Sequence, residues 1–93
     1  MKNSELEKAV AGKLIYARGL GYEELSRRAR TQHVETIEIS LGTGEIVDIE
    51  ITADWDDKPE GDVRIIVSGN IRGTIGSYFP SSMGYLVRAT KRG

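Results

Sequence analysis

Val34-Glu35-Thr36-Ile37-Glu38-Ile39-Ser40-Leu41, then Gly42-Thr43-Gly44, then Glu45-Ile46-Val47-Asp48-Ile49-Glu50-Ile51-Thr52-Ala53, is the stretch that decides the fold. Both longer runs alternate apolar and polar residues, as half-buried strands do. The tripeptide between them sets the register. A two-residue loop would pair Leu41 with Ile46 and set Ile39 against Asp48. A three-residue loop pairs Leu41 with Glu45, Ile39 with Val47 and Ile37 with Ile49. Only the second keeps the apolar residues together, because a slip of one position inverts every side chain. It also puts Gly44 where a left-handed residue is needed.

That register fixes the other face of the hairpin. Glu38 falls opposite Asp48 and Thr36 opposite Glu50, with Ile46 beside them. Like charges directly opposed cost roughly 0.2–1 kcal/mol. The carboxylate stripe therefore calls for a cation, either Arg64 from the next strand or a group on a partner.

Ahead of the hairpin the period is close to four. Ser4-Glu5-Leu6-Glu7 has the form of a capping box, and Leu6, Val10, Leu14 and Ala17 make an apolar stripe that Ile15 widens. Gly19 suits a left-handed helix end. The first helix is expected over about 5–18. A second, over about 22–30, carries Tyr22, Leu25 and Ala29 on its stripe. Its Arg27, Arg28 and Arg30 lie on or beside the opposite face.

Beyond the hairpin, residues 54–62 read as an acidic loop bent by Pro59 and Gly61. Val63, Ile65 and Val67 mark a strand over about 63–68. Gly69-Asn70 reads as a turn, residues 80–84 as a loop, and two more strands are expected over about 74–79 and 85–90. The hairpin strands themselves span about 34–41 and 45–53. The pattern predicts an α+β fold: one domain, 1–93, with two N-terminal helices packed on one face of a four- or five-stranded antiparallel meander.

The charge is sorted along the chain. Residues 1–33 sum to +3, residues 34–62 to −9 and residues 63–93 to +5, so a net −1 hides two basic blocks around an acidic one. Sorted charge makes binding faces. Cysteine is absent, which excludes disulfides, thiolate nucleophiles and cysteine-ligated metals. No apolar run approaches the roughly 18 residues of a membrane span. No leader pattern opens the chain. A cytoplasmic protein without a membrane partner is the expectation.

Chemical motifs are scarce. His33 is the only histidine, and no nucleophile elbow surrounds Ser81 or Ser82. Asp54 and Asp56 match the start of a calcium loop, but Lys58 stands where the third ligand belongs. No catalytic, cofactor or metal site is assigned, and a non-enzymatic protein is expected. The leading reading is a protein-interaction or self-associating module, a dimer foremost, using its outer sheet face and loops. Glu38, Ile46, Asp48, Glu50 and Ile66, with Leu86 beside them, are its contact residues. Trp55 either tucks over the core edge or stands out as an anchor. A second reading is nucleic-acid binding through Arg27, Arg28, Arg30, Arg88, Lys91 and Arg92. A third is small-ligand or metal binding at Asp54, Asp56 and Asp57.

Overall fold

The hairpin closes through the three-residue loop. In the computed structural model, which describes residues 4–42, 44–72 and 81–89, the Leu41 amide donates to the Glu45 carbonyl at 2.8 Å. The Gly44 amide donates back to Leu41 at 3.0 Å, and Gly44 has φ +95°. Ile39 pairs with Val47, Ile37 with Ile49 and Glu38 with Asp48.

Six elements follow in chain order: α1 (Ser4–Arg18), α2 (Gly21–Thr31), β1 (Val34–Ser40), β2 (Ile46–Trp55), β3 (Val63–Ile71) and β4 (Ser81–Val87). The strands form one antiparallel sheet in the order β1-β2-β3-β4. Both helices pack on one face of it, giving the expected α+β arrangement. Val47, Ile49, Ile51, Ala53, Val63, Ile65 and Val67 form the buried face of the sheet, beneath Leu6, Val10 and Ala17 of α1 and Leu25 of α2. Each large side chain removed from water here contributes about 1.5–3 kcal/mol.

Several boundaries differ from the expectation. Gly69-Asn70 is not a turn: β3 continues to Ile71. A glycine sits there because α1 lies directly on the strand. A Cβ at Gly69 would come within 2.9 Å of Val10 Cγ2 and 3.2 Å of Leu6 Cδ1. Residues 81–84 are strand rather than loop, with Met83 opposite Val67 on the inner face. The last strand ends at Val87 because β3 begins at its partner, Val63. The following free amide, Ala89, is taken by Asp62 Oδ1 at 2.8 Å. The strand expected over 74–79 lies outside the described residues. β2 runs on to Trp55, whose ring packs half-buried against the core.

The helix junction also differs. Gly21, with φ +88°, is the left-handed residue, not Gly19. Gly19 instead bonds back to Ile15 and Tyr16 at 3.1 Å each. Ile15 does not widen the core stripe; it is 68% exposed. Tyr22 anchors α2 to the β2–β3 loop, its hydroxyl donating to the Gly61 carbonyl at 2.8 Å beside that of Glu60 at 3.0 Å.

Gly69→Ala should lower stability by about 1–3 kcal/mol, the usual cost of overpacking. Gly12→Ala, mid-helix with nothing within 4 Å of the new Cβ, should raise it by roughly 0.5–1 kcal/mol. Urea midpoints at constant slope would measure both.

Candidate functional site

The helices cover one face, and among the described residues no element covers the other, the bare face. The pairing arranges its side chains in rows across the strands. Asp54, Arg64 and Leu86 form one row, and Val34, Thr52, Ile66 and Gly84 the next. Thr36, Glu50, Ser68 and Ser82 follow, and then Glu38, Asp48 and Asn70. One end of the face thus carries Val34, Ile66 and Leu86 beside Asp54 and Arg64, and the other is acidic. Val34 is 49% exposed and Ile66 42%, flanking Thr52. Beside them the α2–β1 junction rims an open cleft of about 400 Å³, lined by His33, Val34, Thr52, Trp55, Arg64 and Ile66. Gln32, which begins that junction, has left-handed φ 56° and ψ 43°.

The acidic end is partly neutralised by Arg72, a residue not expected in this role from the sequence. Arg72 Nε donates to Asp48 Oδ2 and its Nη1 to Glu38 Oε2, each at 3.0 Å. The Arg72 hydrogen bonds hold the Asp48 carboxyl below its ordinary range. Arg64, expected in this role, instead bonds Asp56 through Nε at 2.9 Å. The reason is the length of β3. Arg64, Ile66, Ser68 and Asn70 share one parity, and continuing it through Gly69-Asn70 carries Arg72 to the ladder beside Ile46, whose carbonyl accepts its amide at 2.7 Å. Glu50, further along the face, has no ion-pair partner among the described residues.

Trp55 belongs to the inner face and reaches the cleft only at the sheet's end. Glu38, Ile46, Asp48, Glu50 and Ile66 all lie on the bare face, as the alternation requires.

The arginines of α2 are occupied within the chain. Arg27 Nε donates to Glu24 at 3.0 Å, and Arg30 reaches Glu60 at 3.0 Å. Arg28 is not on the outer side of its helix: it is only 8% exposed. It donates to Glu24 at 2.8 Å and to Glu35 at 2.7 Å. Glu35 also accepts from the Tyr16 hydroxyl at 3.1 Å. The signal for this bridge was present in the sequence. The parity that puts Ile37 inward puts Glu35 inward too, where a carboxylate needs a partner. Arg88 is exposed, with no ion pair among the described residues; Lys91 and Arg92 lie outside them.

In the acidic loop, Asp54 accepts the Trp55 amide at 2.8 Å, Asp56 is held by Arg64 and Asp57 is exposed. Among the described residues no three carboxylate or imidazole groups gather as a metal site. No helix there is long and apolar enough to cross a membrane. Set against protein-family models, curated proteins and solved structures, the chain matches none.

The bridge carries a pH dependence. Arg27 and Arg28 hydrogen bonds hold Glu24 down to about 2. Burial pushes Glu35 up, but the bonds from Arg28 and Tyr16 together outweigh it and keep its carboxyl below the ordinary range. Depressed carboxyls stabilise the fold above their unfolded pKa, near ~4.3, and the contribution is lost as pH falls through the folded value. Urea midpoints should therefore fall as pH drops below about 4.3. Arg28→Met should cost about 1.5–3 kcal/mol at neutral pH and flatten that decline.

Proposed function

We propose that this chain is a non-enzymatic protein-binding module that seats its partner on the bare sheet face. The observation carrying this reading is that face itself: Val34 and Ile66, half exposed, lie in one row beside Leu86 with no described helix above them. Contiguous apolar groups rimmed by charge are the usual composition of an interface before it is filled. Glu50 adds a requirement, being unpaired among the described residues in the row next to the apolar one. The partner that fits presents an apolar ridge with a lysine or arginine beside it. The cleft at His33 and Trp55 would receive the end of that ridge.

The nucleic-acid reading draws less support. Phosphate binding needs free cations, and Arg27, Arg28 and Arg30 already serve Glu24, Glu35 and Glu60. The loop carboxylates Asp54 and Asp56 are likewise engaged, which weakens the metal reading.

A photo-crosslinking residue placed at Ile66, in cells producing the protein from its own gene, should give a discrete protein adduct. The same residue at Glu23 on α2 should not. Glu50→Lys should cut the adduct by roughly tenfold, as opposed like charges do at an interface. Equal adducts from both positions, or none from position 66, would overturn the reading. An adduct removed by nuclease would replace it with the nucleic-acid one.

A further inference from the structure

We infer that β1 is a pairing edge for a second copy of this chain, joined antiparallel about a two-fold axis through Ile37. The proposal does not depend on what occupies the bare face. It rests first on backbone geometry. Among the described strands, β1 is the outermost on its side of the sheet. Leu41 and Glu45 share a ladder hydrogen bond, and antiparallel pairs alternate. The backbone groups of Glu35, Ile37 and Ile39 therefore serve β2, while those of Val34, Thr36, Glu38 and Ser40 point away from the sheet. A row of free donors and acceptors is a template for another strand.

The second observation concerns the helical roof. The helices pack mainly over β2, β3 and β4, and reach β1 through the Arg28 and Tyr16 side chains at Glu35. Ile37 and Ile39 are left half-buried at the margin of the core. A strand added at this edge would cover them.

The third is charge. Edge strands are commonly protected from pairing by charged side chains, inward-pointing ones included. β1 carries two, Glu35 and Glu38. Both are ion-paired inside the chain, Glu35 with Arg28 and Glu38 with Arg72, which it shares with Asp48. No proline or bulge interrupts the strand. The protection normally supplied by charge is thereby reduced.

Self-pairing also has a favoured register. With the axis at Ile37, all seven residues of β1 are used. Ile37 then faces Ile37 of the second copy at the close, non-hydrogen-bonded position. Thr36 faces Glu38, and Glu35 faces Ile39. Moving the axis to Thr36 or Glu38 shortens the ladder, and at Glu38 it opposes two carboxylates. The product is a continuous sheet of two copies with both bare faces on the same side.

Sedimentation velocity over a concentration series tests this, with hydrogen exchange read at individual amides. The wild-type chain should form a reversible dimer. The Thr36 and Glu38 amides should gain protection as concentration rises. Thr36→Pro removes one outward amide and leaves the β2 ladder intact, a placement that edge strands tolerate. It should raise the dissociation constant at least ~10-fold with an unchanged circular dichroism spectrum. Ile66→Glu should leave the dimer intact, which separates this edge from the bare face. A monomer up to about 1 mM would overturn the proposal. So would a dimer that Ile66→Glu abolishes while the Thr36 and Glu38 amides exchange freely.

Discussion

A slip of one residue between β1 and β2 would turn Val47, Ile49 and Ile51 out to solvent and bring Asp48 and Glu50 beneath the helices. The three-residue turn at 42–44 prevents it, and every other feature depends on that register. It aligns the inner face on which α1 and α2 settle. It gathers the carboxylates of the outer face into rows that Arg72 can bridge. It also sets which backbone groups of β1 face the open edge.

The sorted charge of the sequence closes largely within the chain. From the N-terminal basic block, Arg28 and Arg30 reach Glu35 and Glu60 in the acidic segment. From the C-terminal block, Arg64 and Arg72 reach Asp56, Asp48 and Glu38. Most of these pairs are exposed and add little to stability individually. Their larger effect is to tie elements together: α2 to β1 and to the β2–β3 loop, and β3 to the hairpin. They also weaken the field that would draw in a polyanion, in line with the proposed reading in which shape and apolar contact drive recognition.

Arg28 differs from the others. Its guanidinium is buried at the junction of α2 and β1, between Glu24 and Glu35, with the Tyr16 hydroxyl on the same carboxylate. Burial works against its charge, and the hydrogen bonds it donates to Glu24 and Glu35 overcome that and raise its pKa. The first strand thus gains an inward carboxylate without an unpaired buried charge. The same pairing removes one charge that would guard the edge, so in the proposed dimer stability and association would share one interaction.

The hairpin, its register, both helices and the assignment of Glu38, Ile46, Asp48, Glu50 and Ile66 to one face were legible in the sequence alone. Period and parity are local properties, and they survive folding. Arg72 and the Arg28–Glu35 bridge were hidden by two local signals that tertiary contacts overrode. Gly69-Asn70 has turn composition, yet the glycine is there to admit Val10 and Leu6 of α1 against the strand. Three arginines in a helix have the composition of a solvated face, yet one lies over an inward glutamate. What the chain determined by itself was which residues alternate and therefore which share a face. What only the three-dimensional structure decided was how far β3 runs, which arginine meets which carboxylate, and that the helices settle mainly over β2, β3 and β4. Those outcomes depend on contacts between residues distant in sequence, and no local pattern encodes them.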